Sequence, residues 1–240
     1  MAKDRLKKRI DVAAKRIPAD TVIKNCKIVN VYSHEIINGD IAISDGKIAA
    51  IGSYEGKEEI DAKGNYALPG FINSHIHIES SFVSPEEFSR LLVPHGTTTI
   101  IADPHEIVNV CGIDGLDYMI NAAENAVLNI KYMLPSCVPC TPWEHAGAVV
   151  DAEAMKSVIK DENVFGLGEF MNTVGVVNTD SDVLDKIELC HKAGKLIDGH
   201  SPGLTGDELS AYITAGIHTD HESGSVEELQ ERLRNGMYVM

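Results

Sequence analysis

The sequence predicts an α/β protein whose larger part is built on a parallel sheet, either doubly wound or closed into a barrel. Three observations predict it. From Tyr66 onward, β-type runs alternate with helical patterns, the order that parallel crossovers impose. Before Tyr66, short β-type runs follow one another with only Gly and Asx turns between them. Strand after strand in the second part ends in His or a carboxylate, at the edge where parallel α/β sheets hold ligands.

The elements read in order as follows. Residues 1–17 form a basic amphipathic helix with Leu6, Ile10, Ala13 and Ile17 at helical spacing, ended by Pro18. It has too few large apolar residues for a membrane-surface helix, so residues 1–19 are expected to be an arm packing on a neighbouring surface. Residues 20–65 carry β-type runs at 21–23, 27–32, 36–37, 40–43 and 47–51. Asn38-Gly39, Asp45-Gly46 and Lys63-Gly64 punctuate them, the first two as hairpin signals in a mostly antiparallel β-unit. Residues 66–240 are the strand–helix part. Strands are expected at Phe71–Ile78, 96–103, 129–134, 163–169, 195–200 and 216–221. Helices are expected at 85–93, 112–126, 152–160, 181–193, 205–215 and 226–235, and Gly236–Met240 reads as the start of a seventh strand.

Composition narrows the function classes. The 240 residues are 44% hydrophobic, so a globular fold with a substantial core is expected. The net charge of −15 argues against a nucleic-acid partner, since phosphate binding needs a basic surface. No run of about 18 apolar residues predicts a membrane-spanning helix, and the basic N-terminus lacks a signal peptide's apolar stretch. Five scattered cysteines suit reduced thiols, and the cytoplasm is the expected compartment.

Leu68-Pro-Gly-Phe-Ile-Asn-Ser-His-Ile-His-Ile-Glu-Ser80 is the richest stretch. In a strand, His75 and His77 share one face while Ile76 and Ile78 pack on the other, which gives half of a metal site. The other strand ends add Asp103, His105 and Glu106; Glu169; His200; and Asp220, His221 and Glu222. A single buried His or capping Asp is ordinary, but five strands ending this way point to a metal centre. His75, His77, Glu169, His200 and His221 offer four imidazoles and one carboxylate. That is more than one ion with an open position needs, and enough for two divalent ions bridged by Glu169. Such a pair lowers the pKa of a water and makes it a nucleophile, so hydrolysis is the implied reaction.

The chain resembles the amidohydrolase superfamily, and within it the adenine deaminases. The likeness rests on the 68–80 stretch with Ser81, and on Val93-Pro-His-Gly-Thr-Thr-Thr99, Ala102-Asp-Pro-His-Glu-Ile107, Gly168-Glu-Phe-Met-Asn172, Asp198-Gly-His-Ser-Pro202 and Thr219-Asp-His-Glu-Ser223. The resemblance implies a (β/α)8 TIM-type barrel, incomplete here and reaching about strand seven. Beside it, residues 20–65 would form part of a small β-sandwich. It implies a binuclear Mn, Fe or Zn centre, with His75 and His77 on one ion, His200 and His221 on the other, and Glu169 bridging. The implied reaction is hydrolysis of adenine to hypoxanthine and ammonia, a purine-salvage step, by a homodimer when full length. Glu79 or His105 is expected to handle protons, and Glu79, Asp103, His105 and Glu106 to meet the substrate. The family's strand-eight aspartate has no counterpart in these 240 residues, so an N-terminal portion of a longer protein is expected.

Other readings differ in testable ways. A cyclic-amide hydrolase of the dihydroorotase or hydantoinase type would share the barrel, but Glu169 in place of lysine and the Ala102–Glu106 run speak against it. A non-catalytic metal-binding remnant would bind ions without turnover. His77-Ile-Glu79 with Cys137-Val-Pro-Cys140 echoes the zinc signature of nucleobase deaminases on another fold. A whole strand–helix unit separates its two halves, and the proline before Cys137 is one residue too far away.

Overall fold

The computed structural model describes residues 2–141 and 143–240. They divide into two compact units, 1–69 and 70–240.

The first unit opens with α1 (Ala2–Ala13), which stops earlier than the sequence pattern suggests. Lys15 takes a left-handed φ of 57°, and the Tyr54 hydroxyl donates to the carbonyl of Ala13 at 3.0 Å, satisfying one of the helix's orphan acceptors. Val12 is the buried residue of α1, packed with Ala19, Val22 and Ala42, whereas Leu6, Ile10 and Ile17 are exposed. The strands are β1 (Ala19–Asn30), β2 (Glu35–Ser44), β3 (Lys47–Gly52), β4 (Gly56–Asp61) and β5 (Tyr66–Ala67). All belong to one sheet of order β3-β2-β1-β4, with β5 also on β1. The β1–β2 and β2–β3 pairs are antiparallel, while β4 and β5 run parallel to β1.

Two turn readings fare differently. Asp45-Gly46 joins β2 to β3 with φ of 50° and 68°, the left-handed pair that a two-residue hairpin needs. Asn38-Gly39 is not a turn: it lies inside β2, opposite Lys27 and Cys26. The connection falls at residues 31–34 instead. Gly39 faces the bulge at Ile23–Cys26, where Asn25 is left-handed, and a glycine inside a strand commonly marks such a bend. The bulge keeps β1 continuous where the sequence showed two separate runs.

The second unit alternates strands and helices. Its elements are β6 (Phe71–Ile76), a 3-10 turn at Ile78–Ser81, α2 (Pro85–Leu92), β7 (Thr97–Ala102), α3 (His105–Cys111), α4 (Ile113–Ala122), β8 (Asn129–Leu134), α5 (Ala152–Met155), β9 (Val164–Phe170), α6 (Thr173–Val177), α7 (Ser181–Lys192), β10 (Leu196–Gly199), α8 (Gly206–Thr214), β11 (Thr219–Asp220), α9 (Val226–Arg234) and β12 (Tyr238–Val239). Local chemistry sets many boundaries. Ser84, Asp151 and Ser225 cap the N-termini of α2, α5 and α9 with their side chains. The helix expected over 112–126 is α4, which starts after Gly112 and ends at Ala122; Gly112, at φ 63°, separates it from α3, a helix the sequence pattern did not show.

β6 to β10 form one parallel sheet in sequential order. A doubly wound sheet reverses its strand order at a switch point; this one does not. The order is that of a barrel wall, and the five strands curl as part of one. β11 and β12 pair with each other, and the Gly199 amide donates to Thr219 Oγ1 at 3.0 Å, setting β11 beside β10. Ile100, Ala102, Tyr132, Leu134 and Leu167 are buried in the main core beneath the helices. Alternate residues, among them Ser74, Ile101, Met133 and Phe165, line a concave cavity of about 740 Å³. Among the described residues no helix is long and apolar enough to cross a membrane.

Candidate metal centre

The parallel strands bring their carboxyl ends to one edge, and five side chains far apart in sequence meet there. His75 lies on β6 and His77 just beyond it; Glu169 lies on β9; His200 and His221 directly follow β10 and β11. The one-face strand expected for His-x-His therefore stops at Ile76, and His77, still extended, is the residue before the 3-10 turn. The two imidazoles still converge, with Nε2 atoms 3.2 Å apart. Glu169 Oε2 is 3.1 Å from both His200 Nδ1 and His221 Nε2 and 3.8 Å from His75 Nε2, while Oε1 is 3.7 Å from His77 Nε2. His200 Nδ1 and His221 Nε2 are 3.3 Å apart, and the His75 and His221 rings stack at 3.6 Å.

Partners around this cluster fix the His75 and His77 rings. Asp198 Oδ2 is 2.9 Å from His75 Nδ1, and the Asp103 carbonyl accepts from His77 Nδ1 at 2.8 Å. Both rings therefore turn Nε2 inward, the way metal-binding histidines are oriented. Glu169 is held by its backbone: its amide donates to Asp103 Oδ2 at 2.8 Å, and its carbonyl accepts from Ser136 Oγ at 2.7 Å. Gly168 permits this, because a Cβ there would stand 2.2 Å from Asp103 Oδ2. The Tyr212 hydroxyl donates to the Phe170 carbonyl at 2.6 Å and accepts from the His200 amide at 3.0 Å.

The electrostatics follow from burial and these partners. Burial pushes the Glu169 carboxyl up, but His200, His221 and the charge of His77 outweigh it and hold it well below the usual carboxylate range. The Glu106 carboxylate, 3.3 Å from Nδ1, lifts His77 to about 9. Asp103 has no solvent exposure and is driven well above its ordinary value by burial, reinforced by the Glu169 charge. Burial also raises Glu79 and lowers His105.

The donor set fits divalent ions. Ligand atoms each about 2.0–2.2 Å from one ion stand roughly 3–3.6 Å apart in tetrahedral geometry, close to the 3.1–3.8 Å spacings here. With both Nδ1 protons given outward, His75 and His77 face each other through Nε2. Without a cation, a proton must be shared there. Among the described residues the groups able to hold an ion are His75–Glu169–His221 and His200–His221–Glu222. Cys137 and Cys140 belong to neither; Cys140 Sγ rests 3.8 Å from Met171 Sδ.

Beside the cluster is a cavity of about 260 Å³, lined in part by His77, His105, Glu106, Cys140, Glu144 and Glu169. His105 and Glu106 thus both line this cavity. Asp103 lies beneath it, fully buried. Glu79 is not among its lining residues: Oε1 accepts from the Ile107 amide at 3.3 Å, and Oε2 is buried without a partner. The sequence reading did not single out Asp198, Ser136 or Tyr212. Asp198 had a signal, since it lies two residues before His200 on the same strand face. Ser136 and Tyr212 reach the site from a loop and a helix and left none.

The sequence model of the amidohydrolase family matches residues 66–240. The chain belongs to the amidohydrolase family. This amidohydrolase is 59% identical to "Adenine deaminase 2" of Desulfotalea psychrophila, over 100% of this chain and 42% of that protein. It is 56% identical to "Adenine deaminase" of Ligilactobacillus salivarius, again over 100% of this chain and 42% of the relative. The chain thus spans about two fifths of the length of the curated relatives it matches. Among solved structures, N-acyl-D-glutamate deacylase of Bordetella bronchiseptica, complexed with zinc and a phosphonate inhibitor, superposes with a TM-score of 0.62. It is 14% identical, over 93% of this amidohydrolase and 58% of that chain. The 5-methylcytosine deaminase of Klebsiella pneumoniae gives a TM-score of 0.56 at 15% identity, over 91% and 64%. These two likenesses concern the fold.

Proposed function

We propose that this amidohydrolase is the metal-binding part of an adenine deaminase, converting adenine and water to hypoxanthine and ammonia. The observation that carries the reading is the convergence of four imidazoles on the two oxygens of Glu169. The identity of 48–59% to proteins named adenine deaminase supports the choice of substrate. In this reading His75, His77, Glu169, His200 and His221 would together hold two divalent ions, His75 and His77 chiefly one and His200 and His221 the other; the closest three-donor groups among the described residues are His75–Glu169–His221 and His200–His221–Glu222. Mn, Fe and Zn all suit such ligands. Bound there, the ions would supply Lewis acidity that brings a water's pKa toward neutrality. The curled sheet is then the first wall of a (β/α)8 barrel, and the sheet of residues 19–67 part of a β-sandwich.

The chain's own residues do the rest. Burial keeps the His105 imidazole neutral near pH 7, and its Nε2 has no protein partner, so it is free to hydrogen-bond the edge of a purine in the adjoining cavity. Glu79, raised by burial, keeps its proton to a higher pH than an exposed glutamate; it stands outside the cavity lining, so it would pass a proton to a ring nitrogen only after its carboxyl swings toward the cavity. Glu106 orients His77 from the cavity side.

The test is adenine turnover by the protein loaded with Zn2+, Mn2+ or Fe2+, with and without the part of the Desulfotalea psychrophila relative that this chain does not cover. Hypoxanthine and ammonia in equal amounts are expected. Bound metal with no adenine turnover under either condition would refute the assignment. Ring opening of dihydroorotate or hydantoin to a ureido acid, the reaction of a cyclic-amide hydrolase, is not expected.

A further inference from the structure

The last two histidines of the cluster are framed by a buried arginine to which the proposed chemistry gives no role. Arg232 on α9 has no solvent exposure, and neither do its partners Ser201 and Asp220. Ser201 directly follows His200, and Asp220 directly precedes His221. Arg232 Nε stands 2.6 Å from Asp220 Oδ2 as an ion pair, without hydrogen-bond alignment; Nη2 donates to the Ser201 carbonyl and, at 3.3 Å, to Ser201 Oγ. Nη1 donates to the Glu228 carbonyl at 3.2 Å. Asp220 Oδ1 completes the link by accepting from the Ser201 amide at 2.8 Å and its hydroxyl at 3.0 Å.

A fully buried guanidinium is expensive, and apolar side chains would hold α9 in place at lower cost. What apolar packing cannot do is fix a direction. The planar fork of arginine sets both distance and angle between the groups it binds. Here those groups are the neighbours of two histidines whose nitrogens stand 3.3 Å apart, each 3.1 Å from Glu169 Oε2. On the reading that these imidazoles hold a divalent ion, we infer that Arg232 is a positioning residue: through Asp220 and Ser201 it sets the spacing of His200 and His221, and so the affinity for the ion they share.

The experiment is a calorimetric Zn2+ titration of the chain, of the double variant Asp220→Leu/Arg232→Met and of Ser201→Ala. Replacing both partners of a buried ion pair with apolar residues of similar volume is often neutral for folding, so the double variant separates positioning from stability. Because the Ser201 amide loses its acceptor, it should fold but melt below the parent, bind one zinc with parental affinity and bind the other about 10–100-fold more weakly. Ser201→Ala should weaken the same equivalent a few-fold. A folded double variant that binds both ions as the parent does, or loses affinity equally for both, overturns the inference. If the double variant does not fold, unchanged zinc binding by Ser201→Ala overturns it. Failure of the parent to bind zinc would instead bring down the metal reading, and this inference with it.

Discussion

Asp103 grips Glu169 from below: its Oδ2 accepts the Glu169 amide at 2.8 Å, while its own carbonyl accepts from His77 Nδ1 at 2.8 Å. One residue therefore orients two of the five converging side chains. Asp103→Ala should lower zinc affinity by about 10–100-fold, the usual cost of losing an outer partner of a metal site. Equilibrium dialysis checks it, and parental affinity in a folded variant would show that the side-chain contact to the Glu169 amide is incidental; the backbone contact to His77 survives the substitution.

Gly168 has to be small for that grip to exist. Gly168→Ala sets a Cβ against the Asp103 carboxyl and should destabilise the protein by about 1–3 kcal/mol. Urea unfolding measures this, and Gly194→Ala serves as a contrast. Gly194 has open space around it but a φ of 67°, so any cost there comes from backbone conformation alone.

Ions that bind only the folded chain must stabilise it. Zn2+ at about one hundred times its Kd should add about 2.7 kcal/mol per site, and EDTA should remove it. Thermal melting with and without chelator reads this directly. Cys137→Ser/Cys140→Ser should leave the shift intact, because neither thiol joins a group able to hold an ion.

Glu79 and His105 are separable by kinetics. Glu79→Gln in the active, metal-loaded protein should keep its metal and lose about 10²–10⁴-fold in kcat if Glu79 moves a proton. His105→Gln should act chiefly on KM if the ring only contacts the substrate edge. Unchanged kcat and metal content in Glu79→Gln would remove Glu79 from the mechanism.

The first unit has a pH-dependent tie of its own. Burial pushes Asp40 up, yet the Lys24 ammonium at 2.9 Å and the amides of Asn25 and Tyr54 hold it below its ordinary value. A depressed carboxyl stabilises the fold fully above its unfolded pKa near 3.9, and that contribution fades as pH falls through the lower folded value. Asp40→Ala should therefore cost about 1–3 kcal/mol at pH 7. The gap between variant and parent should close as the pH is taken below the ordinary carboxylate range, through the depressed folded value. Urea midpoints across that range check both sign and size.

Much of the centre was legible because a parallel sheet turns sequence into position. A hydrophobic run followed by His or Glu places that side chain at the ligand edge, and His75, His77, Glu169, His200 and His221 all announced themselves this way. What stayed hidden depended on tertiary approach. Asp103 looked like a rim residue because it ends a strand, but the space above Gly168 lets it fold under Glu169. Asn38-Gly39 looked like a turn because composition does not reveal that a bulge lies across from it. Arg232 drew no notice within the helix expected over 226–235, since nothing local to it shows that Asp220 and Ser201 will be buried with it.

His75 hydrogen-bonds Asp198 across 123 residues of chain, and its ring lies flat against His221. The opening strand of the wall and its far side are thus latched to each other at the very spot where a cation would sit. Occupancy then becomes a gauge of tension in the whole curved sheet: fraying of β6 would spill the ion, and chelation would let β6 exchange its amide hydrogens first.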